Sequence, residues 1–291
     1  MTSLEGVRKV AVLGAGTMGH GIAQLAARAG FEVALYDLTR DAAERGLARI
    51  GRNLEIAVQK GKLTASDREA VLARVSAVDS LGELAGAQWV VEAVPEDLAL
   101  KQKLLSELAH SLGPDALLAS NTSSLSLTRL AQGIPHPERV VGMHFFNPPH
   151  LMKLLELVRG NQTSDAAMRL ARGLGEKLGK DCIEVRDAPG FASSRLGICL
   201  AMEAIRMVEE QVASPADIDK AMELGYNHPM GPLRLTDLVG LDVRLTIADY
   251  LREALNSPRF EAPGLLRRMV AEGKLGKKSG EGFYRYEDIS K

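Results

Sequence analysis

Lys9-Val-Ala-Val-Leu-Gly14-Ala-Gly16-Thr-Met-Gly19 is the stretch that decides the fold. Lys9 to Leu13 is a short apolar, β-branched run, and it opens directly into three glycines spaced as G-x-G-x-x-G. A helical pattern from Gly21 to Ala29 follows, Gly30 stops it, and a second strand-like run, Glu32 to Tyr36, ends at Asp37. A strand, a glycine turn, a helix and a second strand closed by an acid form a unit of about thirty residues with the dinucleotide fingerprint in its proper context. Gly14 suits the tight turn, Gly16 the close approach of a pyrophosphate, and Gly19 the packing of helix on strand. The helix start, with Thr17 and Met18, offers free N–H groups and a positive dipole end. Asp37 is placed to bind a ribose diol and to repel a 2′-phosphate, which points to NAD rather than NADP, although Arg40 stands close by. An isolated G-x-G-x-x-G is often no more than a flexible turn; the second strand and its terminal acid make the nucleotide reading the stronger one.

The rest of the composition narrows the class. The 291 residues suffice for two domains. With 36 basic against 37 acidic side chains, no global field favours nucleic acid or an anionic membrane. Few residues precede the first strand and no apolar run approaches a bilayer span, so neither a signal peptide nor a membrane segment is expected. Cys182 and Cys199 fit no metal or redox spacing and read as reduced core residues of a cytoplasmic protein. No histidine cluster has ligand spacing, and no metal is expected.

Downstream, Asp41–Gly61 reads as one long helix, and Thr64 caps the next. Strands are expected at 75–78, 89–93 and 117–119, with a helix over 98–112 between the last two. Glu96 and the run Ser120-Asn-Thr-Ser-Ser124 follow two of these strands. Open α/β sheets bind ligands beyond the carboxyl ends of their strands, so these residues should converge. A serine run also suits a loop that caps the helix beginning near Leu127; that is the expectation for Ser124 and Ser126, whereas Ser123 has no such local duty. Arg139 to Met143 is a further apolar strand, delivering His144. After the bend at Pro148-Pro149, the apolar run 151–158 carries one acid, Glu156. A carboxylate in that setting needs a partner, and His144 is the obvious one. A His oriented by a carboxylate is the working pair of a general base. Taken alone, a strand-end His is more often structural; the embedded acid, Ser123 and the fingerprint together favour the base. His150 competes for the role but has no obvious acid.

A helix over 162–178 and a last strand over 181–185 complete an α/β, Rossmann-type dinucleotide-binding domain, residues 1–187. From 188 to 291 only helices are expected, at 193–212, 215–224, 232–239, 242–255 and 264–272, forming an all-helical C-terminal domain. The 193–212 helix is apolar over more than one face, as for burial in a core or against another subunit.

Several of these motifs resemble those of the 3-hydroxyacyl-CoA dehydrogenase family in its short, single-function form. They are Gly14-Ala-Gly-Thr-Met-Gly-His-Gly21, Val91-Glu-Ala-Val-Pro-Glu96, Ser120-Asn-Thr-Ser-Ser124, His144-Phe-Phe-Asn-Pro148, Pro229-Met-Gly-Pro232 and Gly276-Lys-Lys-Ser-Gly-Glu-Gly-Phe-Tyr284. The resemblance implies NAD-linked oxidation of an L-3-hydroxyacyl-CoA, including 3-hydroxybutyryl-CoA, to the 3-oxoacyl-CoA. It makes His144 the base, Glu156 its orienting partner and Ser123 a hydrogen-bond partner of the reacting oxygen. Nucleotide contacts fall on Asp37, Glu96, Lys101, Ser123, Asn147 and Lys278. Contacts to CoA fall on Asn53, where some members have Ser, and on Lys60, which reads equally well as a solvated helix-end lysine. Family members carry Asn-Arg after Pro-Gly-Phe where this chain has Ser194-Arg195, so Ser194 is expected to aid substrate placement weakly or through a water. The resemblance also implies a homodimer through the C-terminal domain. The competing readings are a dehydrogenase of a free hydroxy acid, of the gulonate or carnitine type, and a non-catalytic NAD-binding protein.

Overall fold

The computed structural model describes residues 1–286 and divides into two compact units, Met1–Ala188 and Pro189 onward. The first unit holds one eight-stranded sheet in the order β3-β2-β1-β4-β5-β6-β7-β8. Its opening is the βαβ unit: β1 (Lys9–Leu13), α1 (Gly19–Arg28) and β2 (Glu32–Tyr36), with β1 and β2 parallel and in register from Lys9↔Glu32 to Leu13↔Tyr36. Both strands are buried on both faces over most of their length, as their continuous apolar runs require. Gly14 sits at φ +90°, and a Cβ there would meet the Ala93 carbonyl at 2.7 Å, so only glycine fits this turn.

Two helices, α2 (Arg40–Gln59) and α3 (Ala65–Leu72), lead to β3 (Val75–Val78). Thr64 forms a reciprocal capping box with Asp67 at the start of α3. Then come β4 (Trp89–Glu92), α4 (Leu98–Ser111), β5 (Leu117–Ser120), the single-turn α5 (Leu127–Leu130) and β6 (Val140–Phe145). All pairings from β3 to β6 are parallel, so β1, β4, β5 and β6 present their carboxyl ends along one edge. The direction reverses at β7 (Leu154–Arg159), which is antiparallel to β6 and pairs His144 directly with Glu156. The crossover α6 (Asp165–Lys177) then returns to β8 (Asp181–Arg186), parallel to β7. Strand β7 is shorter than the apolar run that announced it: Leu151 and Met152 lie exposed in the turn before it. One core runs under α1 and α6, from Val10 and Ile22 to Met143, Leu157 and Leu174.

The second unit is helical: α7 (Ser193–Glu209), α8 (Pro215–Tyr226), α9 (Pro232–Val239), α10 (Leu241–Ala254) and α11 (Gly264–Ala271). Helix α7 ends short of Val212 because Gln211 turns left-handed at φ 59°. It buries Ile198, Ala201, Met202, Ala204 and Ile205 in this unit's core, while Leu196 is 71% exposed. Of its further apolar residues, Leu196 points outward while Ala201 and Ala204 are buried. Among the described residues no helix is long and apolar enough to cross a membrane, and no group of three or more His, Cys, Asp or Glu could hold a metal ion.

Candidate active site

Two features meet along the carboxyl edge of the parallel strands. The first is a cavity of about 460 Å³ lined by Gly14, Gly16, Thr17, Met18, Tyr36, Asp37, Leu38, Val94, Pro95 and Leu104, among others. Its glycine wall opens on the start of α1, where N–H groups and the helix dipole favour phosphate. A Cβ built on Gly16 would meet no heavy atom within 4 Å, so the space in front of that backbone is open for a ligand. Asp37 closes the far end. Its Oδ2 accepts the Ala15 N–H at 2.8 Å and its Oδ1 the Leu38 N–H at 2.8 Å. Each carboxylate oxygen keeps a second lone pair, enough for a ribose diol. A glycine cradle, an acid at the end of β2 and an apolar wall from Val94 to Leu104 fit NAD.

The second feature is the pair foreseen across the 146–153 turn. His144 Nδ1 lies 2.7 Å from Glu156 Oε2; His144 is 7% exposed and Glu156 is fully buried. A carboxylate acceptor at Nδ1 fixes the proton there, which makes Nε2 the basic nitrogen. The Phe146 ring, 4.6 Å from the imidazole, shields it from one side. This is an arrangement that can take a proton and stabilise the resulting imidazolium.

Between the two features lies the loop after β5, and Glu96 organises it. Glu96 Oε1 accepts hydrogen bonds from Thr122 Oγ1 at 2.5 Å, Ser123 N at 3.0 Å, Ser124 N at 3.2 Å and Ser124 Oγ at 3.1 Å, with Ser123 Oγ at 3.5 Å. Burial alone would raise the Glu96 carboxyl above its ordinary range, but the Lys101 charge and these hydrogen bonds outweigh it and hold the carboxyl below. Asn121 Oδ1 accepts the Phe145 N–H at 2.9 Å and so joins the serine loop to the residue after His144. Ser126 caps α5, accepting the Arg129 N–H as expected. Ser124 does not cap a helix: its hydroxyl and its N–H both serve Glu96.

Lys101 pairs with the same acid. It is 1% exposed, and its ammonium contacts Glu92 Oε1 at 2.7 Å, the Val94 carbonyl at 3.0 Å and Glu96 Oε2 at 3.2 Å. The Lys101 ammonium has three protons; two are committed to Glu92 and the Val94 carbonyl, and the Glu96 carboxylate stands close by. Its partner Glu92, fully buried at the end of β4, also accepts from Ser120 Oγ at 2.6 Å and Val94 N at 2.7 Å. Burial pushes the Glu92 carboxyl up, against the pull of Lys101. Glu92 stands in the Val91-Glu-Ala-Val-Pro-Glu96 motif with no role of its own expected, although its signal is akin to that of Glu156: a single acid on an apolar strand.

The remaining candidates are more dispersed. Asn147 is exposed at the start of the turn, joined to Pro148 by a cis peptide. Asn53, half-buried on α2, donates to Gln24 Oε1 at 3.1 Å, and Lys60 is exposed at the end of the same helix. His150 is half-buried, and burial, then His20, Lys180 and Arg28, lower its basicity; among the described residues no acid orients it. In the helical unit, Ser194 is half-buried in the first turn of α7, and Lys278 is paired with Asp242 at 2.6 Å.

Comparison with known proteins covers nearly the whole chain. The family model described as 3-hydroxyacyl-CoA dehydrogenase, NAD binding domain, matches residues 9–188, and that for the C-terminal domain matches residues 190–286. A probable 3-hydroxybutyryl-CoA dehydrogenase of Bacillus subtilis is 45% identical over 97% of this chain and 98% of its own. A 3-hydroxybutyryl-CoA dehydrogenase of Mycobacterium tuberculosis is 44% identical over 97% of this chain and 99% of its own. The crystal structure of (S)-3-hydroxybutyryl-CoA dehydrogenase from Ralstonia eutropha superposes with a TM-score of 0.94 at 41% identity, covering 97% of this chain and all of that one.

Proposed function

The chain belongs to the 3-hydroxyacyl-CoA dehydrogenase family, and from that premise we propose that it oxidises (S)-3-hydroxyacyl-CoA thioesters, 3-hydroxybutyryl-CoA among them, to 3-oxoacyl-CoA with NAD. The observation that carries this reading is the buried His144–Glu156 bond at the carboxyl edge of a dinucleotide-binding sheet. NAD, which Gly14, Gly16, Thr17, Met18, Gly19 and Asp37 would hold, would supply the acceptor for the hydride from C3. His144 takes the hydroxyl proton at Nε2 as that C–H bond breaks, so the carbinol loses one proton and one hydride and becomes a carbonyl. Glu156 holds the proton on Nδ1 and offsets the positive charge that builds on the ring. Ser123, held in place by Glu96, donates its hydroxyl to the substrate oxygen, and Asn147 contributes on the nicotinamide side.

Lys101 steadies Glu96 through their ion pair and, on the family resemblance, contacts the nucleotide. On the family resemblance, Asn53 and Lys60 contact the CoA portion, Ser194 aids substrate placement and Lys278 contacts the nucleotide. The enzyme is a cytoplasmic homodimer joined through its helical unit, a reading supported by the outward apolar side chains Leu196, Leu235, Leu238 and Val243 and by two free cysteines. The test is NADH-linked turnover over a series of 3-oxoacyl-CoA substrates of increasing length, with NADPH and free 3-hydroxybutyrate as contrasting arms. The reading requires turnover of the CoA thioesters with NADH well above NADPH. Oxidation of the free acid alone would replace it, and nucleotide binding without turnover of any substrate would end it.

A further inference from the structure

The turn that joins His144 to Glu156 is fastened from outside by a lysine to which no role has been given. Lys180 follows α6 and Gly179 at the entrance to β8, and it is 7% exposed. Its ammonium donates to the Pro149 carbonyl at 2.6 Å and to the Met152 carbonyl at 2.6 Å. Among the described residues no carboxylate pairs with it; two backbone dipoles carry a buried positive charge, and burial depresses its basicity accordingly. A charge buried at that cost needs a compensating duty. Its two acceptors bracket the turn. Inside the bracket, the Pro148 carbonyl accepts the Leu151 and Met152 N–H groups at 3.0 and 3.1 Å, so residues 148–152 move as one piece.

That piece touches both halves of the chemistry. On one side Pro149 rests on Gly21, two residues into the phosphate-binding helix; a Cβ there would lie 2.9 Å from the proline Cδ. On the other side the turn begins at Asn147, two residues from the end of the strand that carries His144, and it runs on to Lys153, whose carbonyl accepts the Asp181 N–H at 3.0 Å. We propose that Lys180 is a positioning residue for the reaction: its ammonium presses the 148–152 turn onto α1 and so keeps Asn147 and the His144–Glu156 pair in register with the nucleotide-binding end of the sheet. The proposal rests on His144 as the base, because Lys180 acts through it.

A double-mutant cycle separates positioning from mere stability. Lys180→Met is expected to lower kcat about tenfold or more while the affinity for NAD alone changes by less than about threefold, since the Gly14–Asp37 cradle lies on other elements. Lys180→Arg, which keeps the charge and several donors, is expected to recover most of the rate. In a His144→Gln background the same Lys180→Met change should cost little further rate, because the group being positioned is gone. If Lys180→Met fails to fold, Lys180→Gln, shorter and neutral but polar, is read in the same cycle. An unchanged kcat, or a fall that persists in full without His144, would overturn the proposal. If His144→Gln itself retained full activity, the base assignment would fail instead, and the two failures are told apart by that single variant.

Discussion

Replacing Glu156 with glutamine removes the charge beside His144 while keeping the side chain's shape. The side chain is isosteric, the site is fully buried, and the 2.7 Å contact to Nδ1 can persist through the amide oxygen. What disappears is the charge assistance. A hydrogen bond to a charged group is worth about 1.5–3 kcal/mol, and this one strengthens when the ring becomes an imidazolium. At about 1.4 kcal/mol per tenfold in rate, kcat should fall roughly ten- to 150-fold. If the amide instead presents its NH2 group to Nδ1, the ring proton moves to Nε2 and the base is lost; the corresponding Asp→Asn change in the Ser-His-Asp arrangement costs about 10⁴. The loss therefore lies between these limits. It should appear in kcat, with NAD affinity unchanged, because the nucleotide cradle is built from β1, α1 and β2. The assay is steady-state oxidation of 3-hydroxybutyryl-CoA, with NAD binding followed by fluorescence and folding by thermal melting. A well-folded variant whose kcat stays within about threefold of the parent would refute the reasoning.

Two further outcomes follow from the packing and charge around this pair. Gly21→Ala drives a Cβ into the ring of the buried Pro149, which cannot swing aside, so the variant should lose about 1–3 kcal/mol of stability and lower kcat as the turn is displaced; a melting temperature and rate equal to the parent would contradict this. Glu96 sits below the usual carboxylate range because Lys101 and the serine loop outweigh the opposing effect of its burial. Its folded range being lowered, its contribution to stability is present at neutral pH and is lost as pH falls through that lowered range. The Ser123 and Ser124 amides should thus exchange with solvent faster in acid, beyond the intrinsic pH dependence of exchange, and Glu96→Gln should loosen the same loop at neutral pH. Protection of both amides that is indifferent to pH and to the substitution would count against the role given to Glu96.

Much of this protein is legible where the controlling interactions are local. The βαβ unit, the Thr64 cap and the Ser126 cap each depend on neighbours within a few residues, and each is found where its residues indicate. The His144–Glu156 pair is legible for a different reason: an acid inside an apolar strand must find a partner, and the turn between the two runs brings one opposite. Ser124 and Lys101 show the limit. The neighbourhood of Ser124 suggests a cap and that of Lys101 suggests no partner at all, yet Glu96, about thirty residues from Ser124, recruits the first and a buried Glu92 pairs with the second. Such choices are settled by which strand ends lie side by side, and β4 and β5 become neighbours only through the fold. Lys180 is the extreme case, since its partners are two backbone carbonyls, and a carbonyl has no letter in the sequence.

The central claim is that His144 removes the hydroxyl proton while hydride passes to NAD. Single-turnover formation of NADH from 3-hydroxybutyryl-CoA, measured for the parent and for His144→Gln with NAD binding recorded on the same samples, tests it most directly. The account predicts nearly unchanged NAD binding and a rate lower by about two to four powers of ten, the scale of general-base loss. NADH formation by His144→Gln at the parental rate would contradict it.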